Sequence, residues 1–338
     1  MVLRICAASL LVACLPHDTE RIVSDAEIVV MVASDGSPPG SGMSSDLVTM
    51  NLDGSHRTQI THDDELEFLP HFSHDGTQLL YTKYLTGTYG QANATTDIAL
   101  YDFTTETETL LTDRGDAAQA AWSPDGSTIG FLTHGGGTSS LWLMDADGSH
   151  PRPIGSATGA DDDAIWGDIA WSSDDWILFS VGQQLSGPCF KVRLDKVRPD
   201  GSDRTKVSDG GASCTPAGME QSGDADPGFS ADGQTIYTSR GLPRSPAGAS
   251  PPVTERKLVS LSSAAWTPGK LEADLSLASQ PDCIEGVPKG SPDGTRILEF
   301  RACFDSFASI GTYVTDQAGS YRTFVSEGFG ADWNPVAR

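Results

Sequence analysis

Basic side chains are scarce in this chain: 22 Lys and Arg stand against 46 Asp and Glu, a formal net charge of −24. A surface that acidic excludes recognition of nucleic acid by phosphate neutralisation and disfavours peripheral attachment to anionic lipid. The motifs of nucleophilic and phosphoryl chemistry are missing too. No Gly-x-Ser-x-Gly, His-Glu-x-x-His or Gly-rich phosphate loop occurs, so nothing marks a serine hydrolase, a zinc peptidase or a nucleotide binder. No Cys-x-x-Cys spacing supports a zinc site. Long apolar runs are absent, and the first one, near the N-terminus, is too short to cross a bilayer as a helix.

What is abundant is one pattern, clearest over residues 120–154. Trp122-Ser123-Pro124-Asp125-Gly126 suits a tight turn, because Pro presets φ and Gly tolerates the closing position. An apolar strand follows over 127–133, then a Gly-rich reversal, then a strand at 141–144 that is apolar on both faces. Asp145-Ala146-Asp147-Gly148 turns the chain into a weak outer strand ending near Ile154. One such sheet leaves both faces uncovered, so copies of it must stack.

The copies are present. The turn recurs as Phe72-Ser73-His74-Asp75-Gly76, Trp171-Ser172-Ser173-Asp174-Asp175, Phe229-Ser230-Ala231-Asp232-Gly233, Gly290-Ser291-Pro292-Asp293-Gly294 and, broken, Trp333-Asn334-Pro335. Six units of four strands around one axis predict an all-β, six-bladed β-propeller. Trp333 begins an innermost strand without partners, and residues 26–34 form a strand lacking an innermost neighbour. Pairing the N- and C-terminal strands closes the ring and removes two exposed edges.

This WD40-like repeat resembles that of the TolB-like propeller family, whose units carry a Trp-Ser-Pro-Asp-Gly turn and a later Asp-x-Asp-Gly turn. The likeness covers residues 26–338 and implies the propeller fold. TolB has an α/β domain ahead of its propeller, for which residues 1–25 leave no room, so the resemblance does not by itself imply the role of TolB in the Tol–Pal system.

Residues 1–14 resemble a bacterial lipoprotein signal: Arg4, a short apolar run, then Leu11-Val12-Ala13-Cys14. The resemblance implies acylation of Cys14, a polar tether over 15–25, and a propeller anchored in the cell envelope at the periplasmic face of the outer membrane. Four cysteines remain, and three pairings are open to them. The sequence-local choice, Cys189–Cys214 and Cys283–Cys303, staples the two irregular blades and implies an oxidising compartment.

Three of the seven histidines dissolve into the repeat. His56 and His150 follow Asp-Gly-Ser in equivalent outer turns, and His74 sits inside a tight turn. His71 precedes an innermost strand and can face the channel. The acids ahead of the anchors carry more: Glu67, Asp116, Asp168, Asp226, Glu285 and Glu327 each stand three to six positions before the aligned aromatic or Gly. Pointing inward, they form a ring of carboxylates at one mouth, which repels itself unless it holds a cation or receives a Lys, Arg or amino terminus from a partner. A divalent cation such as Ca2+ is the one cofactor this ring suits; no catalytic residue and no dedicated metal site is expected. The long Gly/Pro/Ser-rich segments at 37–45, 135–139, 209–225 and 241–253 offer further binding surface. The sequence therefore points to a monomeric, non-catalytic, lipid-tethered propeller that engages a protein or peptide, cationic where it meets the acids, at the channel mouth or long loops. The alternative is a cation-dependent propeller hydrolase or lyase acting on a sugar or peptide.

Overall fold

The computed structural model describes residues 26–33, 44–88, 91, 93–134, 139–156, 164–186, 189–208, 221–244, 253–264, 283–303 and 310–337. The signal at 1–14 with Cys14, the tether at 15–25, and Cys214 with its pairing to Cys189 lie outside the described residues.

Every described element is a strand. The chain opens with β1 (Ile28–Ala33), β2 (Ser45–Met50) and β3 (Thr58–Gln59), then β4 (Leu66–Phe72), β5 (Gln78–Thr86), β6 (Thr95–Asp102) and β7 (Thr107–Leu110). Next come β8 (Ala117–Trp122), β9 (Thr128–Thr133), β10 (Ser140–Asp145) and β11 (Arg152–Ser156), then β12 (Ala164–Trp171), β13 (Ile177–Ser186), β14 (Cys189–Val197) and β15 (Thr205–Lys206). The last stretch holds β16 (Gln221–Phe229), β17 (Thr235–Arg244) and β18 (Val253–Ser262), then β19 (Cys283–Gly290), β20 (Arg296–Cys303), β21 (Gly311–Asp316), β22 (Arg322–Ser326) and β23 (Phe329–Trp333). Within each group neighbours pair antiparallel, as in Leu79↔Tyr101 and Phe131↔Trp142.

β23 pairs antiparallel with β1, matching Ile28 with Trp333 and Val29 with Asp332. Asn334 fastens the junction, its side chain donating 2.9 Å to Ala26 O and its amide 2.9 Å to Glu27 O. The innermost strands are neighbours in the cyclic order β23, β4, β8, β12, β16, β19 and back to β23.

The repeated turn is built around one serine–aspartate bond. Ser123 Oγ donates to Asp125 Oδ1 at 2.6 Å and accepts from Thr128 N at 3.0 Å, while Gly126 N closes on Ser123 O at 2.8 Å. Ser73–Asp75, Ser172–Asp174, Ser230–Asp232 and Ser291–Asp293 repeat the serine–aspartate bond. A side chain satisfying its own turn's backbone is why Ser and Asp recur at these offsets.

The core lies between the sheets. Fully buried Leu80, Ile98, Ile129 and Phe131 join Trp122 in one cluster, and Leu132, Leu141 and Leu143 join Ile169 and Phe179 in the next. Burying such side chains is worth roughly 1.5–3 kcal/mol each, which explains the double-faced apolar strands in the sequence. Cys283 and Cys303 form a disulfide across the β19–β20 pair, the expected bridge.

Candidate functional site

Each innermost strand has one residue in the left-handed region near its middle: Leu69 (φ 51°), Gln119 (47°), Gly167 (64°), Asp226 (53°), Val287 (50°) and Gly330 (62°). Register with the adjacent strand slips at the same places. These are β-bulges, which re-aim the side chains that follow. A Pro follows at Pro70, Pro227 and Pro288, tolerated because the ladder is already interrupted there.

β12 departs from this rule. Between Phe68↔Thr82 and His71↔Leu80, β4 advances three residues while β5 advances two. Between Trp166↔Ser180 and Ile169↔Phe179, β12 also advances three, but β13 advances only one. The surplus residue falls in the Gly167–Asp168 bulge. The next turn compensates by being one residue shorter: Ser172 N bonds Trp176 O, where Ser123 N bonds Thr128 O.

The wider bulge carries Asp168 across to other strands. Its Oδ2 lies 2.5 Å from Lys289 Nζ on β19, and its Oδ1 accepts from His71 Nε2 on β4 at 3.3 Å and from Ile169 N at 2.9 Å. Asp332 on β23 stands 4.0 Å from His71 Nδ1 and accepts from Phe72 N at 2.9 Å. Side-chain exposure is 1% for Asp168, 11% for Lys289 and His71, and 17% for Asp332, so little water screens these charges. Burial pushes the Asp168 carboxyl up, but the charges of Lys289 and then His71 outweigh it and hold the group well below the ordinary carboxylate range. Burial wins at Asp332 and raises it, with His71 and Lys289 opposing.

Above this bridge lies a cavity of about 400 Å³. His71, Lys289, Asp332 and Ile169 line it from the strands, and Ser172 and Ser230 from the serine–aspartate turns. The cavity thus opens where the innermost strands end, whereas the sequence reading placed the binding mouth where they begin. Among the described residues the side-chain partners of His71 are the carboxylates Asp168 and Asp332.

The six acids do not share one environment. Asp168 lies in the bridge. Asp226 lies against Gly167, where a Cβ would stand 2.6 Å from its Oδ1. Asp116 pairs with Arg114 at 3.0 Å. Glu285 is buried with Arg322 at 3.1 Å and Arg301 at 3.7 Å, and Arg322 also bonds the buried Glu299. Glu67 is fully buried, accepts from Thr61 Oγ1 at 3.0 Å and is pushed up to about 9, by burial first and then by Asp63. Glu327 is exposed. The cation that the sequence reading sought from a partner is supplied to Asp168, Asp116 and Glu285 by the chain itself. Among the described residues no three His, Cys, Asp or Glu side chains are grouped to hold a metal ion.

A second lysine is also enclosed by acids. Lys83 Nζ lies 2.6 Å from Asp63, 3.0 Å from Glu65 and 2.7 Å from Glu108, which also accepts from Tyr81 OH. His56 and His150 are turn residues at φ 54° and 53°, as the repeat predicts.

Sequence reasoning missed Lys289 and Asp332. The signal was the position just before each anchor: His71, Ala121, Ala170, Gly228, Lys289 and Asp332. Three are small and three are ionisable or polar, and the second set meets on the axis side.

These bulged, stacked, antiparallel units define a β-propeller. No protein-family model matches the chain. The Tol-Pal system protein TolB of Anaeromyxobacter dehalogenans (strain 2CP-C) is 29% identical over 121 residues, 36% of this chain and 26% of that relative. The chain therefore aligns with about a quarter of the curated relative's length. Among solved structures, TolB from Acinetobacter baumannii superposes with a TM-score of 0.63 at 15% identity, over 91% of this chain and 66% of that one. A putative TolB from Agrobacterium tumefaciens gives 0.55 at 15%, over 89% and 88%. The chain is a TolB-like β-propeller protein.

Proposed function

We propose that this is a six-bladed propeller, closed by β1 and β23, that binds a protein or peptide at the mouth framed by its serine–aspartate turns and catalyses no reaction. The cyclic adjacency of the innermost strands and the six bulges support the blade count. The observation that carries the binding role is the axial cavity, where side chains from several blades converge on one concave, half-polar surface, the usual form of a ligand site. The name of the aligned relative, a Tol-Pal system protein, favours an envelope setting. With Cys14 acylated, the chain is tethered there as a monomer.

The test is crosslinked capture from envelope fractions, comparing the natural chain with Ser173→Arg and Ala231→Arg. Both positions are exposed in turns that line the cavity mouth, so the bulk they add costs the fold little. Loss of a captured protein in both variants supports the reading. Undiminished capture with both variants folded refutes it. Cys14→Ser should move the protein from the membrane pellet to the soluble fraction; retention in the pellet would remove the lipid tether.

A further inference from the structure

The floor of the axial cavity is unevenly satisfied. Its carboxylates each hold donors from within the chain: Asp168 Oδ1 takes Ile169 N and His71 Nε2, Asp168 Oδ2 takes Lys289, and Asp332 Oδ2 takes Phe72 N. Its ammonium is less fully matched. An ammonium carries three N–H groups, and among the described residues Lys289 Nζ has Asp168 as its one hydrogen-bond partner. Its side chain is only 11% exposed and lines the cavity. His71 Nδ1, at 4.0 Å from Asp332, is beyond hydrogen-bond reach of it.

Lys83 shows what an enclosed ammonium in this chain accommodates, with three carboxylates between 2.6 and 3.0 Å. Lys289 holds one. The difference is room: Lys83 is ringed by side chains of its own blade, whereas Lys289 borders the cavity of about 400 Å³. A neutral hydroxyl would satisfy the same donors, but a charged acceptor bonds an ammonium about twice as strongly.

We propose that Lys289, with His71 beside it, anchors a carboxylate-binding site at the floor of the axial cavity. The ligand's carboxylate takes the two open N–H groups of Lys289 and the rest of it fills the cavity toward the turns. This rests on the reading of the cavity as the binding site and gives its ligand a chemistry opposite in sign to the cationic partner expected from the acid ring. A small free carboxylic acid and the C-terminal carboxylate of a partner peptide share that chemistry.

The test is calorimetric titration of the full chain with succinate, trialanine and trialanine amide. Saturable binding with Kd on the order of 1 mM is expected for an acid and none for the amide. Binding of trialanine alone identifies a chain terminus as the source, and binding of succinate alone a free acid; either supports the site. No binding by either acid, or equal binding of the amide, overturns it. In Asp168→Asn/Lys289→Met, which neutralises both members of the bridge, affinity should fall at least about tenfold, and undiminished binding by the folded double variant overturns the assignment. The natural chain gives an independent reading: the Lys289 side-chain nitrogen resonance should move on saturation with the acid, and an unmoved resonance contradicts the proposal. Partner capture through the turn mouth is measured separately, so its survival alongside failed titrations sinks the ligand class and leaves the binding role standing.

Discussion

Replacing Lys289 by Met should cost far more than its own contacts suggest. Asp168 has a side chain 1% exposed, and its carboxylate rests on Lys289 and His71. Removing the lysine strands a buried charge, which typically costs about 3–5 kcal/mol; with His71 still at 3.3 Å, about 3 kcal/mol is the expected value. Removing both charges, as in Asp168→Asn/Lys289→Met, should return stability to within about 1 kcal/mol of the natural chain. Unfolding entropy of about 2.1 cal/mol/K per residue translates the single loss into roughly 5 °C in a domain of this size. The pH profile adds a second reading. The Asp168 pKa is lowered in the folded state, so its contribution is complete above the unfolded value near 3.9 and fades as pH falls through the folded value. Thermal melts from pH 7 down to acid should show that decline in the natural chain and a shallower one in the double variant. A single substitution costing under about 1 kcal/mol, or no more than the double, would show that Asp168 is not the buried bridge described.

Glu67 works in the opposite direction. Its folded pKa is raised from 4.5 to about 9, so its contribution is full below about 4.5 and is lost as pH rises through the folded value. Glu67→Gln should therefore raise the melting temperature at pH 8 and flatten the profile; a lower temperature there would contradict the burial argument. Arg322→Met leaves Glu299, already raised to about 7 by burial against the pull of Arg322, without that cation. The variant should lose about 3–5 kcal/mol at pH 8 and clearly less at pH 5, and equal losses would refute the pairing. Cys283→Ser/Cys303→Ser opens a loop of 20 residues, worth about 3 kcal/mol by chain entropy, read as a drop in the urea midpoint; an unchanged midpoint would show that the bridge does not constrain the unfolded chain.

The repeat was legible because its turns are chemically local. Ser123 and Asp125 satisfy their own backbone, so the same letters return wherever the same turn is made. The outer-turn histidines His56 and His150 were legible for the same reason. The bridge was not legible, because it depends on register. Asp168 owes its reach to a surplus residue in β12, and that surplus, like the shortened turn at Ser172, shows only once β12 and β13 are paired. Spacing placed Glu67 and Glu285 beside Asp168 as equals. All three are buried, but Glu67 and Glu285 precede the bulges at Leu69 and Val287, while Asp168 lies within its own bulge. A carboxylate's role here follows from which side of the bulge it stands on, and sequence offset alone does not carry that information.

Closure of the ring is the claim on which blade count, axis and cavity all depend. It is tested most directly by amide hydrogen exchange over residues 28–33, comparing the intact chain with one ending at Gly328. With β23 bonded to β1 through Ile28–Trp333 and Val29–Asp332, the intact chain should protect these amides as strongly as its central strands. The shortened chain should lose that protection locally. Fast exchange of this strand in the intact chain, or identical protection in both, would contradict the closure.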